Sequence, residues 1–131
     1  MRDLPTLLRS LQAQRQPGVY VFALAPPGVD VSALQPISTF RETEGLSVIV
    51  DEATAQRYGL VPLFRAAWLT LSVHSDLAAV GLTAAVAGAL ARQGIACNVV
   101  AAAHHDHLFV AVDAADAALA TLAELQREAQ S

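Results

Sequence analysis

The chain has 131 residues, enough for one compact domain or for two very small units sharing a core. Hydrophobic residues make up 54% and charged residues 15%, which leaves ample apolar surface to bury and no case for disorder. The formal net charge is −4, and all eight basic residues are Arg, scattered from Arg2 to Arg127 without forming a stripe. Binding nucleic acid without regard to sequence rests on neutralising phosphates, so this balance argues against it. The absence of Lys excludes Schiff-base chemistry and a P-loop lysine, and no cofactor is expected.

Leu4, Leu7, Leu8 and Leu11 stand at helical spacing, so residues 4–14 are predicted as a short amphipathic helix ended by Pro17-Gly18. Val19 to Ala25 is a continuous apolar run, read as a buried strand broken by Pro26-Pro27-Gly28. Residues 29–35 are a short link with room for one helical turn. Ile37–Thr43 and Leu46–Val50 are strand-like runs around Glu44-Gly45, which predicts a tight hairpin. Asp51 then caps a helix to about Tyr58, with Gly59 as its stop.

The second half repeats this order at greater length. Arg65–His74 is predicted as a strand, and Ser75-Asp76 offers capping oxygens for a helix over 77–93, followed by Gly94. Ile95–Ala103 is predicted as a strand with Cys97 buried in it. His104–His107 is a polar turn, Leu108–Val112 returns as a strand, and Asp113 caps a helix to about Arg127.

An internal repeat stands behind this order. Leu46-Ser47-Val48-Ile49-Val50-Asp51-Glu52-Ala53-Thr54-Ala55 and Leu108-Phe109-Val110-Ala111-Val112-Asp113-Ala114-Ala115-Asp116-Ala117 both read L-x-V-x-V-D-x-A-x-A. Duplication divides the chain into residues 1–62, an abbreviated unit with the N-terminal helix, and residues 63–131, over one shared core. The first unit lacks a full helix between its first two strands, and the N-terminal helix is expected to cover the sheet face left bare. The second unit reads strand-helix-strand-strand-helix, one strand short of a ferredoxin-like fold, and the missing strand is expected from the first.

Two stretches suggest chemistry. His104-His105-Asp106-His107 invites a metal reading, since two imidazoles and a carboxylate can bind a first-row metal. A strand pattern turns Asp106 away from the histidines, and a hairpin wants polar residues regardless, so the structural turn is preferred and no metal site is assigned. No nucleophile, base and orienting group come together in the pattern, so no catalytic residue is assigned and the chain is not expected to be an enzyme.

Asp76-Leu77-Ala78-Ala79-Val80-Gly81-Leu82, followed by Leu90-Ala91-Arg92-Gln93-Gly94-Ile95 and an apolar strand, resembles the ACT-domain pattern. With the hairpin stretches Ile37–Leu46 and His105–Val110, the resemblance is to small stand-alone bacterial proteins with tandem ACT-like units. These are similar to the regulatory half of aspartate kinases. The resemblance covers residues 17–125 and implies an α+β fold of ferredoxin-like (ACT-like) tandem units sharing antiparallel sheets, with helices packed on one face. It also implies a homodimer and a small amino-acid-like ligand between ACT-like units.

In that family the strand-to-helix loop contributes, which here is His74, Ser75, Asp76, Leu77, Val80 and Gly81, with Thr39 and Thr43 on the first hairpin as secondary candidates. A helix N-terminus suits a carboxylate, and Asp76 suits an α-amino group. The alternative is a ligand-free oligomerisation or protein-interaction module. Met1–Pro5 lacks a signal-peptide core, and the longest uncharged stretch, near Leu77–Ala91, is shorter than the ~20 residues of a spanning helix. The protein is therefore expected in the cytoplasm and off the membrane.

Overall fold

The computed structural model describes residues 3–73, 77 and 80–130. The chain separates into two compact units, residues 17–66 and residues 1–16 with 67–131. Both are α+β, with helices on one face of an antiparallel sheet.

The unit of residues 17–66 contains β2 (Tyr20–Leu24), α2 (Val31–Leu34), β3 (Ser38–Glu42), β4 (Gly45–Asp51), α3 (Glu52–Arg57) and the start of β5 (Phe64–Leu71). Its strand order is β3-β4-β2-β5. The register sets Tyr20 opposite Asp51, Ser38 opposite Ile49 and Tyr20 opposite Ala66. Alternation then sends Val21, Ala23, Val48 and Val50 into one core, closed by Leu34, Ala55 and Leu60 from the helical side. The predicted hairpin forms with its turn at Thr43-Glu44. The link between the first two strands does hold one helical turn, capped by Asp30, whose carboxylate accepts from the Ser32 amide.

The other unit contains α1 (Leu4–Arg9), β1 (Ala13–Arg15), the rest of β5, α4 (Leu82–Arg92), β6 (Asn98–Ala101), β7 (Asp106–Ala111) and α5 (Ala115–Gln130). Here β5 lies between β1 and β7, with β6 at the edge beyond β7. With β5 taken as the first strand of this unit, the order is that of the other one, and β1 fills the place of the fourth strand. The missing strand does come from the N-terminal part of the chain. It comes from residues expected to close the first helix: Ala13 pairs with Leu71 and Arg15 with Leu69. Flanking bonds from the Gln16 amide to the Trp68 carbonyl (2.8 Å) and from the Ser72 amide to the Gln12 carbonyl (2.8 Å) extend the pairing. Ala, Gln and Arg are helix formers, and the open edge of β5 overrides that preference.

Helix α1 is accordingly short. Asp3 caps it, accepting from the Thr6 amide at 3.1 Å. It packs on α5 and α4, where Leu7 and Leu11 join Leu69, Leu71, Val86, Leu90, Leu108, Val110 and Leu122 in one core. That core alone can satisfy the Leu7–Leu11 stripe, because the short α2 and α3 already close the smaller one.

The repeat is structurally asymmetric at its aspartates. Asp51 caps α3, accepting from the Thr54 amide at 2.9 Å. Asp113 instead lies inside a 3-10 turn, Val112–Ala114, that precedes α5 and has no side-chain cap. Strand β6 is also shorter than the apolar run around it. The Ile95 amide bonds to the Leu90 carbonyl at 3.0 Å to finish the α4 terminus, and the Ala102 amide bonds to the His105 carbonyl at 3.1 Å in the turn. Cys97 therefore precedes the strand. It is half-buried against the larger core, and burial pushes its thiol up.

Candidate functional site

Helix α4 begins at Leu82, five residues later than the sequence suggests. Its N-cap is Gly81, at φ 106° and ψ −27°, which has no side chain of its own to bond the helix end. The capping expected of Ser75 and Asp76 falls on residues outside the described ones. A left-handed residue at position 81 interrupts a helical run that Leu77 to Val80 would otherwise support. The Ala85 amide closes the first turn on the Gly81 carbonyl at 2.9 Å. The amides of Leu82, Thr83 and Ala84 precede any intrahelical acceptor and carry the positive end of the helix dipole. Thr83 and Ala84 are exposed, as are Leu77 (72%) and Val80 (85%). Gly81 is constrained twice, since a Cβ there would also stand 3.0 Å from Cδ2 of Leu4.

His74, Ser75 and Asp76 lie outside the described residues. Thr39 and Thr43 belong to the unit of residues 17–66, while Leu77, Val80 and Gly81 belong to the other. Thr39 is exposed on β3 opposite Val48, and Thr43 is exposed in the hairpin turn.

In the unit of residues 17–66, the link between first strand and first helix borders a groove of about 350 Å³. Leu24, Pro26, Pro27 and Val29 form one side, and Glu44 and Leu46 the other. Sequence reading passed over it because Pro26-Pro27-Gly28 registers as a strand stop. A groove of about 360 Å³ also runs between α4 and α5, lined by Arg92, Gln93, Thr121, Glu124 and Arg127. Nothing in the periodicity of those helices announces it.

The histidine-rich segment is only partly a turn. Strand β7 begins at Asp106, so His107 is a strand residue. The Trp68 indole N–H donates to Nδ1 of His107 at 2.9 Å, and Oγ1 of Thr70 lies 3.1 Å from the same nitrogen. Burial lowers the basicity of His107, and neighbouring His105 lowers it further against a smaller opposing effect of Asp106. Among the described residues, no three His, Cys, Asp or Glu side chains are grouped so as to hold a metal ion.

An ACT-domain model matches residues 1–67, and a second ACT-domain model matches residues 64–124. No curated protein matches the chain. Among solved structures, the chain is similar to a Vibrio cholerae protein of unknown function described as a "possible transport protein". The two share 43% identity with a TM-score of 0.85, over 94% of this chain and 95% of that one. It also resembles an Agrobacterium tumefaciens protein, at 19% identity and TM-score 0.65, over 88% of this chain and 89% of that one. A third likeness is to the ligand-free regulatory subunit of aspartate kinase from Thermus thermophilus. That match has 12% identity and a TM-score of 0.63, over 86% of this chain and 95% of that one, and it speaks to the fold. Two successive family matches, each on a strand–helix–strand–strand–helix order, place this chain in the ACT-domain family, with two ACT domains in tandem.

Proposed function

We propose that this chain is a regulatory module that binds a small amino acid at the loop entering α4. The observation that carries the reading is the N-terminus of α4: an eleven-residue helix whose N-cap is a glycine, with no side chain of its own to cap the end, and which follows exposed Leu77 and Val80. Its first-turn amides suit a carboxylate, and Asp76 is assigned the α-amino group. His74, Ser75, Leu77 and Val80 form the surround, and Gly81 keeps the backbone in the conformation that aims those amides outward. The tandem ACT architecture supports regulation by a ligand over catalysis.

A second reading, a homodimeric interaction module, is favoured by β3. This strand lies at a sheet edge and exposes Phe40 at 71%. Among the described residues no helix is long and apolar enough to cross a membrane, and the cytoplasm is the proposed location.

Thermal unfolding with each of the twenty amino acids tests the first reading. A ligand at ~100 times its Kd adds about 2.7 kcal/mol to the folded state. For a chain of this size that raises Tm by roughly several degrees. One or two amino acids should produce the rise, and Asp76→Ala should abolish it. No shift with any of them, from folded protein shown to be free of co-purified ligand, refutes the reading.

A further inference from the structure

The larger core uses only the helix-facing side of its sheet. On the other side, four side chains form a short hydrogen-bonded chain. Gln16 Nε2 donates to Thr70 Oγ1 at 3.0 Å, and Thr70 Oγ1 sits 3.1 Å from His107 Nδ1. The Trp68 indole N–H donates to that same nitrogen at 2.9 Å. The Trp68 ring also stacks on Phe109, with centroids 6.0 Å apart and planes at 23°, and meets His107 edge-on at 5.6 Å.

The donor inventory fixes the protonation state. An indole N–H can only donate, so Nδ1 of His107 must carry its lone pair and the neutral ring holds its proton on Nε2. Thr70, accepting from Gln16, then shares that single lone pair with the indole as a second, longer donor. Protonation affects the two partners of Nδ1 differently. Thr70 can rotate its hydroxyl and accept from a new Nδ1–H, keeping its bond to Gln16. Trp68 cannot reverse, and two N–H groups would face each other across 2.9 Å.

We propose that Trp68, Thr70 and His107 form a proton-operated switch, in which a proton taken at Nδ1 of His107 expels the indole of Trp68 while the Thr70–Gln16 link is kept. The proton comes from solvent and leaves to it, and no other bond changes.

The surroundings bias the switch toward its neutral setting. His105 lies edge-on to His107 at 6.4 Å and opposes a second positive charge, while Asp106 favours it. Among the described residues, the neighbouring strands set Trp68 and Thr70 of β5 and Val100 of β6 beside the ring, and none of these titrates in this range. The indole is held at neutral pH and released in mild acid. This inference does not depend on the amino-acid reading.

Trp68 is the only tryptophan, so its emission reports the switch directly. Emission is followed from pH 8 to pH 4.5 while circular dichroism confirms that the protein stays folded. One transition is expected, with its midpoint below the ordinary histidine value of about 6.5, and it should vanish in His107→Gln. Emission that stays flat over this range, or a transition that persists unchanged in His107→Gln, overturns the proposal. A second variant keeps the test independent of how the first one folds. In Trp68→Phe the donor that holds Nδ1 unprotonated is gone, so the imidazole midpoint followed by nuclear magnetic resonance should rise above that of the unmodified protein. A midpoint that does not rise overturns the proposal.

Discussion

Replacing Gly81 by alanine separates backbone geometry from helix propensity in a single helix. Gly81 sits at φ 106°, where an L side chain is strained, and its Cβ would stand 3.0 Å from a terminal methyl of Leu4. Leu4 can move that methyl at little cost, so the backbone sets the magnitude, about 1–3 kcal/mol for a non-glycine residue held there. Unfolding entropy of roughly 2.1 cal/mol/K per residue gives about 0.28 kcal/mol/K for a chain this long, so Gly81→Ala should lower Tm by about 4–11 °C.

Gly88 supplies the control. It lies inside the same helix, has no positive φ, and its Cβ would make an ordinary 3.5 Å contact with a guanidinium nitrogen of Arg92. Alanine suits that backbone and restricts the unfolded chain, a gain of about 0.4–1 kcal/mol. Tm should then rise by roughly 1–4 °C. Calorimetry on both variants reads the two signs. If both move Tm in the same direction, or Gly81→Ala leaves it within a degree, then the conformation at the entrance to α4 is not what glycine is there to provide.

The two repeat aspartates should respond differently. Asp51→Ala removes the cap of α3 and should cost about 1 kcal/mol in urea unfolding, whereas Asp113→Ala should cost a few tenths at most; equal losses would contradict the asymmetry. Leu69→Ala truncates a fully buried residue of the larger core and should cost about 2–5 kcal/mol, read from the urea midpoint. Stability should also depend on His107. Its folded-state pKa lies below the unfolded one, so the unfolded chain binds the proton first. The contribution is whole above about pH 6.5 and is lost as pH falls through the folded value. The fall in urea midpoint between pH 7.5 and pH 5 should be smaller in His107→Gln, and an equal fall would place the titration elsewhere. Partly exposed Glu52 bonds exposed Arg65, and Glu52→Gln should leave the urea midpoint nearly unchanged.

Where a residue's neighbours in sequence decide its conformation, the chain could be read directly. Val21 and Ala23, Val48 and Val50, the Thr43-Glu44 turn and the Asp51 cap are all of this kind. The misreadings share another cause. Residues 13–15 are helix formers that pair as a strand because β5 offers an open edge 54 or more residues away. Leu77 to Val80 look helical until Gly81 adopts a positive φ, which no residue type reveals on its own. His107 looked like turn polarity because its partners, Trp68 and Thr70, are 39 and 37 residues distant. The candidate site shows the same limit. Its residue types were visible, but the start of α4 at a left-handed Gly81 needed the backbone.

The placement of β1 has a consequence for how this protein is made. Residues 4–15 are synthesised well before residues 67–130, which supply the strand and helices that receive them. Gln126, near the end, donates to the Arg9 carbonyl at 2.7 Å. Until those partners emerge, Leu7 and Leu11 have no apolar surface of their own to enter, and a strand-length segment stays unpaired. Only when α5 arrives can α1 settle. The larger unit is thus closed by two segments distant in sequence, and cutting the chain at the midpoint of the repeat would leave neither half with a complete sheet.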